Sequence, residues 1–176
     1  MGAYSKGKGA GFERLVCKRL SLWISGGKKP DVFWRSAMSG GRATVMAKKG
    51  TLAKASAGDI TATGPEGHQL TDAFFLECKS YRNLALQPFL LGLGKGTLAK
   101  FWSIAEEEAR KYDKMPLLIA KQNNLPPFVL MSLYGAETSI NGAQLGRRTP
   151  VLRMAGDVLL YWFDDLFPLP RARIKK

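Results

Sequence analysis

The stretch FFLECKSY, residues 74–81, places a glutamate and a lysine two positions apart in a run of strand-forming side chains. Successive side chains of a β-strand point to opposite faces of the sheet. One face is therefore apolar and carries Phe74, Leu76 and Cys78. Glu77 and Lys79 share the other face. Two interpretations follow: a solvated edge strand whose charges block further pairing, or a strand whose charged face performs chemistry.

The charge of the chain indicates a polyanionic partner. Its 176 residues suit one domain with a sizeable core, and its formal net charge is +13. Residues 1–57 hold 12 lysines and arginines against two acids, so most of this charge is amino-terminal. We therefore expect nucleic acid as the partner rather than an anionic membrane surface.

The two cysteines and the first residues indicate a reducing compartment. Cys17 and Cys78 match no metal-binding spacing and no disulfide framework, so we interpret both as reduced core residues. Residues 1–15 lack the apolar segment of a signal peptide, and no apolar run is long enough to span a bilayer. We expect a cytoplasmic protein, acting in the host cytoplasm if it is phage-encoded.

The domain plan follows from composition and periodicity. Apolar positions at helical spacing predict a first helix over residues 11–24, with Glu13 at the top of its apolar stripe. Glycine, alanine, serine and lysine dominate a long segment that we expect to be a mobile basic loop. The predicted organisation is a flexible basic arm at 1–10, a domain at 11–170 containing the mobile loop at 37–57, and a basic tail at 171–176.

The remaining patterns predict an α/β fold. Residues 58–64 and 73–81 are predicted to pair as a β-hairpin. Further elements are a strand at 32–36, a helix at 97–113, strands at 115–121 and 127–134, and a strand or strand-to-helix element at 157–167. This order predicts one sheet in a two-layer or three-layer α/β core.

The predicted hairpin brings acids together. If it forms, Asp59 shares a face with Glu77, and Glu13 can reach the same end from the first helix. Converging carboxylates repel one another unless a divalent cation lies among them. A nearby lysine such as Lys79 can orient a water, help deprotonate it, or offset charge that develops on phosphorus. This combination suits metal-assisted phosphodiester hydrolysis.

Four ordered motifs carry a family resemblance: GFERL (11–15), WRSAMSGG (34–41), GDI (58–60) and LECKS (76–80). Together they resemble the PD-(D/E)xK nuclease superfamily, and within it most closely the archaeal-type and phage-encoded Holliday junction resolvases. The resemblance implies a single restriction-endonuclease-like domain, with a central mixed β-sheet flanked by helices. It also implies a homodimer that cuts branched DNA with Mg²⁺, or with Mn²⁺.

The resemblance also assigns roles to residues of this chain. Asp59 and Glu77 correspond to the metal ligands, joined by the backbone carbonyl of Cys78. Glu13 completes the acidic site and supports the metal as a further ligand, Lys79 corresponds to the catalytic lysine, and Ser36 to a loop serine near the scissile phosphate. A glutamine that often follows the charged strand corresponds to Gln87 or Gln122, and we leave this choice open. Residues 127–176 receive no role.

Basic residues flanking this site are predicted to bind DNA phosphates, which gives affinity without base readout. They are Lys6, Lys8, Arg35, Arg42, Lys48, Lys49 and Lys54. The four tryptophans, by contrast, are expected in the core. Two other functions remain open: a restriction-like or flap- and end-processing nuclease of the same superfamily, and a non-catalytic basic DNA-binding module.

Overall fold

A computed structural model describes residues 3–36 and 57–169 of the chain. At its centre lies a five-stranded mixed β-sheet, and helices cover both of its faces. This architecture confirms the predicted α/β class with a central mixed sheet flanked by helices, as expected for a restriction-endonuclease-like domain.

Helix α1 spans Ala3–Ile24 and packs through an apolar stripe that includes Phe12, Val16 and Leu20. These positions are four residues apart and therefore share one face. The helix ends where Gly27 adopts a φ of 85° and its amide donates a 2.7 Å hydrogen bond to the carbonyl of Leu22. α1 begins earlier than predicted, because residues 3–10, expected in the flexible arm, are helical.

The segment after α1 forms a small separate sheet. Strand β1 (Phe33–Arg35) pairs antiparallel with strand β2 (Ile60–Ala62). A short 3₁₀ turn and helix α2 (His68–Ala73) then lead into strand β3 (Phe74–Tyr81). The predicted hairpin is therefore wrong: β2 pairs with β1, and the expected turn contains a helix whose Leu70 is fully buried.

The central sheet has the order β3-β4-β5-β9-β8, in which β8 is Leu152–Arg153 and β9 is Val158–Trp162. After β3 come helices α3 (Leu86–Leu90) and α4 (Thr97–Lys111), strand β4 (Met115–Gln122) and strand β5 (Phe128–Ser132). β3 and β4 run parallel, and the other pairs are antiparallel. A parallel pair requires a crossover, which α3 and α4 supply.

Shorter elements complete the fold. They are α5 (Leu133–Glu137), β6 (Ser139–Ile140), β7 (Ala143–Gln144), β8 (Leu152–Arg153), β9 (Val158–Trp162) and α6 (Phe163–Leu166). β9 followed by α6 matches the predicted strand-to-helix element. No helix among the described residues combines the length and the apolar character that crossing a membrane requires.

Strand parity divides the core into two layers. Leu76 and Cys78 pack with α1, whereas Leu118 of the neighbouring strand packs with Leu98 and Trp102 of α4. β3 lies at one edge of the sheet, so its outer side is open to the segment that contains Asp59. Both cysteines are buried and free, in agreement with their interpretation as reduced core residues.

Candidate active site

Asp59 lies beside the outer edge of β3 and is held there by three hydrogen bonds. Its amide donates to the carbonyl of Leu76 (2.8 Å), and its own carbonyl accepts from the amide of Ser36 (2.8 Å). Its side-chain Oδ2 accepts from the amide of Cys78 (2.9 Å). The aspartate is thus fixed against the strand that carries Glu77, although not through the predicted hairpin.

Gly58 explains how the chain approaches β3 so closely. It forms a parallel bridge with Leu76 and has a φ of 91°. A Cβ at this position would lie 2.6 Å from the carbonyl oxygen of Leu76. Only glycine tolerates both this backbone conformation and this contact. The Gly-Asp pair therefore acts as a unit, in which Gly58 permits the approach and Asp59 supplies the carboxylate.

The same edge presents a backbone oxygen. In an extended strand, the N–H and C=O of one residue point to the same side. Since the amide of Cys78 donates to Asp59, its carbonyl also points to that outer side. The thiol of Cys78 lies in the apolar layer, where burial raises its pKa well above the ordinary value. The backbone, and not the thiol, is therefore what Cys78 offers to the site.

The surroundings of Asp59 disfavour its negative charge. Burial, followed by the negative charge of Glu77, raises the pKa of Asp59 to about 7. Lys79 and the Cys78 amide favour the carboxylate, but they do not cancel these two effects. A carboxylate in this environment gains more from a nearby cation than an exposed one does.

Glu77 and Lys79 share a face of β3, as predicted, and form an ion pair with a hydrogen bond from Nζ to Oε1. Burial alone would lower the pKa of Lys79, but the charges of Glu77 and Asp59 outweigh this effect and raise it. Lys79 is therefore an ammonium group that is paired with Glu77 and stabilised further by the charge of Asp59.

Glu13 lies close to this group but is engaged by Arg35. The Nε of Arg35 lies 2.5 Å from Oε2 of Glu13. Ser21 connects the two elements, because its hydroxyl accepts from the amide of Phe33 (2.9 Å) and donates to the carbonyl of Cys17 (2.7 Å). The negative charge of Glu13 contributes to the raised pKa values of Cys17 and Asp59, so it acts on the site electrostatically.

The donor set of the site suits a hard divalent cation. Asp59, Glu77 and the Cys78 carbonyl present oxygen atoms, which Mg²⁺ and Mn²⁺ prefer, and Mg²⁺ usually takes only one or two carboxylates. Within residues 3–36 and 57–169, no three His, Cys, Asp or Glu side chains form a metal-holding group. Two carboxylates and a backbone oxygen suit the ion, whereas Glu13, predicted as a further ligand, forms an ion pair with Arg35.

The structure describes only some of the predicted phosphate-binding residues. Lys6 and Lys8 belong to the first turns of α1, the helix that carries Glu13. Arg35 is committed to Glu13, so its guanidinium neutralises an acid of the site. Arg42, Lys48, Lys49 and Lys54, with most of the predicted 37–57 loop, lie outside the described residues.

Ser36 and the two candidate glutamines have distinct positions. Ser36 is buried, and its amide holds Asp59. Gln122 lies at the end of β4, and its Oε1 accepts from the amide of Leu84 (2.8 Å), so it secures the chain after β3. Gln87 is exposed on α3. Of the two glutamines, Gln122 is bonded to the turn that leaves the charged strand.

Sequence patterns missed three aromatic residues around this region. The ring of Phe101 on α4 lies against Lys79, and Tyr81 contacts Phe101. Trp34, expected in the core, is 58% exposed on β1, next to Arg35. Phe101 has helical spacing typical of a core residue, so nothing local pointed to a charged neighbour. For Trp34, the only signal in the sequence is strand alternation. It follows the buried Phe33, so its side chain points to the opposite, open face of β1.

A groove of about 550 Å³ lies elsewhere on the surface. Asp72, Glu106, Arg110 and Tyr134 contribute to its lining, and it flanks the start of β4. None of the acids or the lysine at the edge of β3 contributes to it. The candidate active site is therefore an open edge of the sheet rather than this groove.

Comparison with known proteins identifies the sequence pattern. The family model described as "Phage putative PDDEXK endonuclease" matches residues 4–155, which is most of the chain and includes Glu13, Asp59, Glu77 and Lys79. Neither a curated protein nor a solved structure gives a significant match.

Proposed function

The chain belongs to the phage PDDEXK endonuclease family, and from this premise we propose that it is a metal-dependent endonuclease that cuts branched DNA. One observation carries the catalytic part of the proposal: three hydrogen bonds fix Asp59 beside Glu77 and Lys79 at an open strand edge. The proposal of a branched substrate rests on the resemblance of the four ordered motifs to those of Holliday junction resolvases.

Asp59, Glu77 and the carbonyl of Cys78 would hold the cation, which we propose to be Mg²⁺, with Mn²⁺ as a substitute. When bound, a divalent ion polarises the phosphodiester and lowers the pKa of an attacking water. The Cys78 amide keeps the Asp59 carboxylate oriented towards the edge. The Ser36 amide holds the Asp59 backbone, so we assign Ser36 a supporting role rather than a phosphate contact.

Lys79 supplies the positive charge of the site from the protein. Its ammonium group is paired with Glu77 and feels the charge of Asp59, so we propose that it offsets negative charge developing on the phosphoryl oxygens. Glu13 supports the site from α1, and Arg35 prevents its charge from adding fully to those of Asp59 and Glu77. This division of roles requires no histidine.

We further propose that DNA is bound by the basic amino-terminal part. Lys6 lies two helical turns before Glu13, about 10 Å along the axis of α1. Lys6, Lys8, Arg42, Lys48, Lys49 and Lys54 would contact DNA phosphates. Binding through phosphates predicts an affinity that falls steeply with salt concentration.

A homodimer is the assembly that this substrate favours. Resolving a four-way junction requires two symmetric cuts, and two protomers supply two strand-edge sites. The oligomeric state in solution, measured by light scattering at several protein concentrations, tests this part independently of cleavage. A strictly monomeric protein that still resolves junctions would overturn it.

The decisive experiment compares DNA substrates under identical conditions. A four-way junction, a flap and an arm-matched linear duplex are incubated with Mg²⁺, then with Mn²⁺, and the products are sized. We expect the junction to be cut about 10-fold or more faster than the duplex, a difference of roughly 1.4 kcal/mol in transition-state binding. Preferred cutting of the flap or the duplex would instead identify an end-processing or restriction-like nuclease.

The matched variants are Glu77→Gln and Glu108→Gln. Both remove an acid that is paired with a lysine, but Glu108 pairs with Lys111 on the outer side of α4. We expect Glu77→Gln to lower cleavage by about 10²–10³-fold with retained junction binding, and Glu108→Gln to cut normally. If the wild-type protein cuts no DNA with either metal, the chain is a binding module and the proposal fails.

A further inference from the structure

The ammonium group of Lys79 has an aromatic neighbour besides its acidic partner. Its Nζ lies 5.6 Å from the centroid of the Phe101 ring, within the distance at which a ring face attracts a cation. Phe101 comes from α4, on the face of the sheet to which Glu77 and Lys79 point. A residue remote in sequence therefore contacts the proposed catalytic lysine.

The ring of Phe101 is itself held in place. Its centroid lies 4.9 Å from that of Tyr81 at an interplanar angle of 54°, and Tyr81 follows Lys79 by two residues on the same face of β3. Fully buried Leu98 and nearly buried Trp102 fix the surrounding turn of α4 in the second core layer. The Leu98 amide also donates to the carbonyl of Leu84 (2.9 Å). The aromatic contact is therefore built on a rigid helix.

We propose that Phe101 is a positioning residue for Lys79, an inference that rests on the proposed nuclease function. A lysine side chain has four flexible carbons, and one ion pair leaves it much rotational freedom. In the proposed site Glu77 must also bind the cation, so it cannot hold the ammonium group alone. A ring face attracts the ammonium without using a lone pair of Glu77, and the remaining N–H groups stay able to donate to phosphate oxygens.

A purely structural role for Phe101 predicts different behaviour. The ring also packs against the second core layer, so its loss could act through the stability of α4 alone. The chain offers a matched control in Tyr112, which stacks on Phe75 at a centroid distance of 5.9 Å and joins the same helix to the same strand. Phe75 lies four residues before Lys79, about 13 Å along the strand, so this pair has no access to the ammonium group.

The experiment measures kcat and KM for the best DNA substrate with Phe101→Leu, Phe101→Tyr and Tyr112→Leu. We expect Phe101→Leu to lower kcat about 10-fold with little change in KM, because the contact acts on the reacting group rather than on DNA affinity. Phe101→Tyr keeps the ring and is expected to restore kcat to within about 2-fold of wild type. Tyr112→Leu should lower Tm but leave kcat unchanged below the transition.

A second measurement detects the contact without activity. The ring current of Phe101 shifts the ε-methylene resonance of Lys79, and Phe101→Leu should abolish this shift whereas Tyr112→Leu should not. Equal losses of kcat in Phe101→Leu and Tyr112→Leu, or no rescue by tyrosine, would overturn the positioning role. A wild-type protein that cuts no DNA would overturn the nuclease function as well, so the two failures are distinguishable.

Discussion

The two halves of strand β3 differ although both pair with β4. Phe74–Leu76 are all buried, whereas beyond them only Cys78 is buried, Glu77 and Lys79 are partly accessible, and Tyr81 is 45% exposed. In the first half, Phe74–Leu76, which we call the closed half, Phe75 stacks on Tyr112 in a small apolar cluster. In the second half, 77–81, which we call the open half, the corresponding aromatic contact between Tyr81 and Phe101 has Lys79 beside it.

The difference arises because the segment 57–59 lies along the outer edge of β3 only as far as Leu76. Ala57 packs with Phe75 in the apolar cluster of the closed half, and Asp59 bonds to the carbonyl of Leu76. The chain then turns away to pair with β1, and beyond Leu76 the Asp59 side chain is the group that bonds to this edge among residues 3–36 and 57–169. One half of the strand is thus part of the core, and the other half presents oxygen atoms and an ammonium group at an open edge.

The largest effect is expected from Lys79→Met, at the open half. Loss of the ammonium group should lower cleavage by about 10³-fold, because it removes charge stabilisation at the reacting phosphate. Junction binding, measured by fluorescence anisotropy, should change little. Lys111→Met is the control, since Lys111 is also paired with acids but lies on the outer side of α4. Equal losses of cleavage in Lys79→Met and Lys111→Met would contradict a catalytic role that is specific to the open half of β3.

At the closed half, Leu76→Ala is expected to lower the free energy of unfolding by about 3 kcal/mol, because it opens a cavity in the apolar layer next to α1. Urea denaturation measures this change. Leu91→Ala provides the comparison, because Leu91 is 65% exposed and should cost less than about 0.5 kcal/mol. A loss below about 1 kcal/mol for Leu76→Ala would contradict the structural role of this half.

Asp59 bonds to β3 where its two halves meet. In metal-free protein, Asp59→Asn tests whether the surroundings of this residue destabilise its negative charge. Because the pKa of Asp59 rises from 3.8 to about 7 on folding, the folded state retains a proton that the unfolded state has lost. The wild type should therefore lose stability as pH rises from 4 to 7, by on the order of 2 kcal/mol, and Asp59→Asn should not.

Urea denaturation in EDTA at pH 4 to 8 measures this difference. Asparagine keeps an oxygen that can accept from the Cys78 amide, so Asp59→Asn should be the more stable protein at pH 8. Parallel pH profiles for the two proteins would show that Asp59 is not destabilised by its surroundings. Added Mg²⁺ should stabilise the wild type and leave Asp59→Asn nearly unchanged.

The smallest effect is expected from Phe75→Leu. It removes the ring that stacks on Tyr112 but keeps an apolar side chain, so we expect a stability loss of about 1 kcal/mol in urea denaturation. Cleavage well below the transition should equal that of the wild type. A fall in kcat would show that the closed half also positions the catalytic groups.

Local patterns predicted much of the fold and the candidate site. Alternation placed Glu77 and Lys79 on one face of a strand, and helical spacing identified α1 and α4. Gly58 and Asp59 lie next to β3, as predicted, but not through the predicted strand pairing. We expected a hairpin, whereas Asp59 reaches β3 through a single parallel bridge at Gly58. A residue pattern indicates that a strand exists, but its partner is chosen by packing across the whole domain.

The sequence by itself determined the elements, the two faces of β3 and the residue types available for chemistry, since these depend on neighbours within a few positions. Only the tertiary structure decided that Arg35 neutralises Glu13, that three hydrogen bonds fix Asp59 and that Phe101 lies against Lys79. Each of these contacts joins separate elements. Their distances depend on how α1 and α4 pack on opposite faces of the sheet, which no local pattern specifies.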